Sequence, residues 1–63
     1  MRSVDKEASF FLTRIKSSRT NQEWSKNFRE FSEWLQWLRN KHHITANEES
    51  LFLQKAEESK INL

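Results

Sequence analysis

Cysteine, glycine, proline and tyrosine are all absent from this chain of 63 residues. Without cysteine no disulfide can form, and a thiolate-based zinc site cannot be built. Without glycine the chain cannot carry a glycine-rich phosphate-binding loop. Glycine and proline are also the usual sources of sharp turns, so their absence favours long helices joined by short polar loops.

The short length limits the chain to one domain with a small core. At this size the free energy of apolar burial roughly cancels the conformational entropy lost on folding, so small domains often depend on a partner or a second copy. Three Trp and five Phe nevertheless argue against disorder. We therefore expect a single folded domain whose small core favours self-association, with a homodimer as one option.

The sequence contains no apolar run that could span a membrane or form the core of a signal peptide. We therefore expect a cytoplasmic protein. Residues 28–41 combine aromatic and basic side chains as interfacial helices do, but Glu30 and Glu33 disfavour a role at the membrane surface. The Met at position 1 favours a complete short protein, and a fragment of a longer one is the alternative.

Two segments match the Thr-x-x-Glu capping box, in which the Thr hydroxyl accepts from a backbone N–H and the Glu reaches back to the Thr N–H. They begin at Thr20 and Thr45, and Ser3 is a weaker N-cap candidate. The helices predicted from these signals span about 4–18, about 21–41 and about 46–60. The sequence therefore predicts an all-α, three-helix bundle.

Apolar residues recur at helical spacing on one face of each predicted helix. These faces comprise Val4, Ala8, Phe11, Leu12 and Ile15; Trp24, Phe28, Phe31, Leu35 and Leu38; and Phe52, Leu53 and Ala56. Trp34 borders the second face, so we expect it to complete the core. Trp37 lies outside that face among charged residues, as Phe10 and Leu51 lie outside theirs. Alternatively, both Trp rings simply face the neighbouring helices of the bundle.

The titratable residues form no recognisable catalytic or metal-binding pattern. His42 and His43 are adjacent and lie near the end of the second predicted helix, so they do not project to one side as metal ligands would. The pairs of neighbouring Glu fall on a polar helix surface, which offers no distinct environments for an acid and a base. We therefore predict no enzyme activity, no cofactor and no metal.

Apolar and aromatic residues outside the helix faces indicate a surface for another protein, because contiguous exposed rings mark interaction sites. The predicted partner-binding residues are Phe10, Trp34, Trp37, Lys41 and Leu51. The sequence thus favours a small non-catalytic module that acts as an inhibitor, adaptor or regulator by occupying a partner's surface.

A cluster of basic residues supports the alternative, a nucleic-acid-binding regulator, because cations can neutralise phosphates. The cluster lies at the junction of the first two helices and comprises Arg14, Lys16, Arg19, Lys26 and Arg29. The third helix, which reads the major groove in many three-helix DNA-binding domains, begins with acidic residues at Glu48 and Glu49. Net charge is only +2, so we rank nucleic acid below protein as the partner.

Overall fold

The computed structural model describes residues 4–60 and shows three α-helices, with no strand in that range. The helices are α1 (Val4–Lys16), α2 (Asn21–Asn40) and α3 (Ala46–Glu58). Each begins where the sequence predicts and ends one or two residues earlier, within the usual uncertainty of helix ends. The all-α three-helix bundle is confirmed, and Ser3, the expected N-cap of α1, lies outside the described residues.

The two predicted capping boxes form to different extents. At Thr45 the box is complete, since the Glu48 N–H donates to Thr45 Oγ1 at 3.1 Å and Glu48 accepts from the Thr45 N–H at 2.8 Å. At Thr20 the Glu23 N–H donates to the hydroxyl at 3.1 Å, but the Glu23 carboxylate accepts from the Arg19 N–H at 3.4 Å. The expected return bond to the Thr20 N–H is therefore wrong.

A difference in backbone torsion accounts for the incomplete box. Thr20 has φ of −130°, whereas Thr45 has φ of −91°. Rotation about the N–Cα bond changes where the N–H of the capping residue points relative to the helix. Thr20 is the more extended of the two residues, and the Arg19 N–H, rather than the Thr20 N–H, donates to Glu23.

The connection between α2 and α3 is a tight turn with a left-handed residue. His42 has φ of +62°, the His42 N–H donates to Arg39 O at 3.0 Å and the His43 N–H donates to Leu38 O at 2.9 Å. These two bonds define a Schellman motif, whose left-handed position is usually glycine. Immediately after the turn, the side chain of Ile44 is buried, although sequence periodicity assigned it to no helix face.

The core lies between the three helices, and most of it comes from the predicted apolar faces. The buried residues are Ala8, Ile15, Trp24, Phe31, Leu35, Leu38, Ile44 and Ala56. Phe28 and the remaining members of the predicted faces are half-buried and pack against this core. Among residues 4–60, none of the helices combines the length and apolar content needed to cross a bilayer.

Candidate protein-binding surface

Aromatic rings fill the contact between α1 and α2. The ring of Phe11 lies 5.6 Å from that of Phe31 and 4.9 Å from that of Trp34, measured between centroids. Trp34 is half-buried and packs against the core, as its position at the edge of the apolar stripe predicts. The contact is therefore a seam of stacked rings with Trp34 at its outer margin.

Two further rings lie exposed beside this seam. Phe10 is 62% exposed and lies 6.3 Å from Phe11 between ring centroids. Trp37 is 52% exposed and follows Trp34 by three residues, which places it on the neighbouring turn of α2. Among residues 4–60, the ring of Trp37 contacts the ring of His43, with 6.1 Å between the centroids. The prediction that Phe10 and Trp37 lie on the surface is confirmed.

An ion pair across the seam shows that both exposed rings project on the same side. Arg14 Nη2 of α1 lies 3.4 Å from Glu30 Oε1 of α2. Phe10 precedes Arg14 by four residues, and Trp37 follows Glu30 by seven, so each ring shares a helical stripe with one member of the pair. Because the two helices are antiparallel, both rings lie beyond the pair in the same direction, about 4–5 Å apart along the bundle.

We call this surface the α1/α2 aromatic face and define it by Phe10, Phe11, Trp34 and Trp37. Lys41 lies beside this face at the C-terminal end of α2. The Lys41 N–H donates to Trp37 O at 3.1 Å, so the helical spacing extends to Lys41. Lys41 is one of the predicted partner-binding residues, whereas Glu33 is not. Glu33 lies one turn before Trp37, and Lys41 lies one turn after it. Both Glu33 and Lys41 can be identified from the sequence as neighbours of Trp37, because each lies four residues from it.

Leu51, the fifth predicted partner-binding residue, lies elsewhere. It is 51% exposed, so its surface position is confirmed. It follows Glu48 by three residues and precedes Lys55 by four, and these two residues line depressions that α3 shares with α1. Leu51 therefore borders the α1/α3 side of the bundle, and α1 separates it from the α1/α2 aromatic face.

The structure disperses the five predicted nucleic-acid-binding cations. Arg14 is occupied by Glu30 and also donates to Asn27 Oδ1 at 3.4 Å. Lys16 lines a depression between α1 and α3, and Arg19 lies in the exposed connection before α2. These three residues face different parts of the surface.

Of the five cations, Lys26 and Arg29 remain together. They line a shallow depression whose other members all belong to α2 or to its N-cap, Thr20. A depression built by one helix lies on its outward surface, away from α1 and α3. Two cations on one outward surface, beside Glu23, form a much smaller positive patch than the sequence predicted.

The first pair of neighbouring Glu residues in α3 has structural partners. Glu48 completes the capping box, and Glu49 Oε1 lies 2.7 Å from Arg39 Nε of α2. Within residues 4–60, no group of three or more His, Cys, Asp and Glu side chains could hold a metal ion. What the surface offers for recognition is thus aromatic contact area flanked by single charges.

Scans of protein-family models, curated proteins and solved structures found no match to this chain. The residues of the chain itself therefore indicate the candidate site, which is the α1/α2 aromatic face.

Proposed function

We propose that the chain is a small non-catalytic protein-binding module that acts as an inhibitor, adaptor or regulator by occupying the surface of a partner. The observation that carries this proposal is the exposure of two rings, Phe10 and Trp37, on one face. Single exposed apolar residues are ordinary, but several exposed rings on one face beside a packed aromatic seam are typical of binding sites. We propose the cytoplasm as its compartment, because the sequence carries no apolar run of the signal-peptide kind.

The arrangement of the face also supports binding. Trp34 and Phe11 hold the base of the surface in place through their contact at 4.9 Å, so the exposed rings stand on ordered neighbours. Rigid aromatic anchors lose little conformational entropy on binding and carry much of the energy of protein interfaces. The dispersed cations give no comparable support for a nucleic-acid partner.

Affinity capture from an extract of the native host, with two matched variants, tests this proposal. Trp37→Ala and Leu51→Ala each remove a half-exposed apolar side chain, with exposures of 52% and 51%, from opposite sides of α1. We expect Trp37→Ala to weaken capture at least tenfold, because an interface Trp contributes about 2 kcal/mol or more. Leu51→Ala should capture the partner as the parent does.

Circular dichroism of both variants ensures that a loss of capture is not a loss of folding. Equal capture by the parent and Trp37→Ala would contradict the proposal. Loss through Leu51→Ala alone would move the binding site to the α1/α3 side of the bundle.

A further inference from the structure

We propose that the α1/α2 aromatic face binds a second copy of this chain, with the two α2 helices antiparallel and their Trp37 rings meeting at a two-fold axis. This inference rests on the proposed function, since it uses the same face and names its occupant. The charges beside Trp37 favour this arrangement, because a two-fold axis brings opposite charges together.

Trp37 stands between one acid and one base on the same helical stripe. Glu33 precedes it by four residues and Lys41 follows it by four, so the three side chains lie one above another along α2. All three are exposed, and neither Glu33 nor Lys41 forms an ion pair with any residue of the described range. Each copy therefore presents an available carboxylate on one side of the ring and an available ammonium on the other.

A two-fold axis at Trp37, perpendicular to α2, makes this surface complementary to itself. It opposes the residue n positions after Trp37 in one copy to the residue n positions before Trp37 in the other. Lys41 of each copy then faces Glu33 of the other, and a single surface gives two ion pairs. An axis parallel to α2 would instead set Lys41 beside Lys41 and Glu33 beside Glu33, which is repulsive. The charges thus select the antiparallel arrangement.

The same rotation places α1 of one copy over α1 of the other, so Phe10 enters the contact together with Trp37. An aromatic side chain buries about 150–250 Å² when fully covered. With exposures of 62% and 52%, the two rings supply on the order of 200 Å² in each copy. A standard interface buries about 800 Å² per partner, roughly four times this ring area, so we expect a weak dimer with a Kd of about 100 µM.

Sedimentation equilibrium over a range from about 10 µM to about 1 mM tests this dimer, because that range brackets a Kd of about 100 µM. The mass of the parent should rise from 7.7 kDa toward twice that value. Glu33→Lys and Lys41→Glu each oppose like charges and should raise the dimer Kd about tenfold or more. The double variant Glu33→Lys with Lys41→Glu restores opposite charges at unchanged net charge, and its Kd should return to within about threefold of the parent.

Circular dichroism accompanies each variant. Lys41 caps the C-terminal end of α2, where an acid opposes the helix dipole. If Lys41→Glu is unfolded, two other variants test the contact. These are Glu33→Lys, in the middle of α2, and Lys41→Gln, which removes the charge of Lys41 without reversing it. Both should weaken the dimer.

A parent that stays monomeric throughout overturns the inference. Capture of a different protein by such a monomer through Trp37 would keep the proposed function while this inference fails. A dimer whose Kd ignores both charge reversals overturns the antiparallel contact. Rescue by the double variant supports it.

Discussion

Different kinds of interaction hold α2 to its two neighbours. Against α1, α2 packs rings, with Phe11 lying 5.6 Å from Phe31 and 4.9 Å from Trp34. α2 and α3 share the Phe31–Phe52 ring contact at 6.4 Å between centroids, and their connection adds polar and backbone groups: the Schellman turn, the complete capping box at Thr45 and the Arg39–Glu49 ion pair at 2.7 Å. Ring packing dominates the α1 contact, although Arg14 also pairs with Glu30 across it, whereas the α3 contact combines a ring pair with individually paired polar groups at the connection.

The difference shows which side of α2 leaves apolar surface exposed for binding. The polar groups named at the α2–α3 connection are paired with one another, so these interactions are complete within one chain. Apolar packing has no such stoichiometry, and a row of rings can continue past the edge of the core. On the α1 side the row continues through Phe10, and Trp37 lies exposed three residues after Trp34, so this side offers apolar area for a binding surface.

Trp34→Ala tests the aromatic side of this comparison, and we expect it to cause the largest loss in the free energy of unfolding. Removing this ring takes away its contacts with Phe11 and Phe31 and leaves a gap at the margin of the seam. We expect a loss of about 3 kcal/mol, the low end for truncating a buried ring, because Trp34 is half-buried. Urea unfolding followed by circular dichroism measures it.

Trp37→Ala is the matched control for Trp34→Ala, since it removes the same side chain from the same helix. At concentrations below the dimer range, it should change the free energy of unfolding by no more than about 0.5 kcal/mol. Equal losses for the two variants would mean that both rings belong to the core, and the contrast between seam and surface would disappear.

The division between these two rings could be predicted from the sequence, because the angle of a residue around a helix depends only on its spacing. Helix starts were accessible for a similar reason, since a Thr-x-x-Glu cap acts within four residues. The opposite sides taken by Leu51 and Trp37 were not accessible. They depend on where α1 lies relative to α2 and α3, which no local spacing encodes.

The long-range pairing of charges and the turn at His42 escaped prediction for related reasons. Arg14 meets Glu30 across 16 positions, so the basic cluster read from the sequence lost a member to an ion pair that only packing creates. Ile44 is buried because the turn before it points its side chain inward. That turn uses a left-handed residue that is not glycine, and the sequence carries no usual marker for it.

A smaller effect is expected from removing the N-cap of α3. Thr45→Ala deletes the hydroxyl that accepts from the Glu48 N–H and also unsettles the return bond, so we expect a loss of about 1 kcal/mol or slightly more. Thr20→Ala removes a single bond to the Glu23 N–H, and its loss should be nearer 0.5 kcal/mol, the lower part of the range for caps. Thermal melts of both variants compare them, and a larger loss at Thr20 would contradict the reliance of the α2–α3 connection on its polar groups.

The smallest effect, and a stabilising one, is expected from His42→Gly. A residue with a side chain costs about 1–2 kcal/mol in the left-handed region, and His42 has φ of +62°. Glycine removes that cost but adds about 0.5–1 kcal/mol of backbone entropy to the unfolded chain. The net gain should therefore be roughly 0.5 kcal/mol in the free energy of unfolding, measured by urea denaturation.

His43→Gly is the control for this turn, because the cost of a left-handed backbone falls on His42 and glycine at the next position brings its entropy cost with no gain. His42→Asn should lie between the parent and His42→Gly, since Asn tolerates this region better than most residues. If His42→Gly destabilises the chain as much as His43→Gly does, the turn does not hold residue 42 in the left-handed region. The α2–α3 connection would then owe its geometry to Arg39–Glu49 and the Thr45 cap, and the contrast with the aromatic seam would rest on those two interactions.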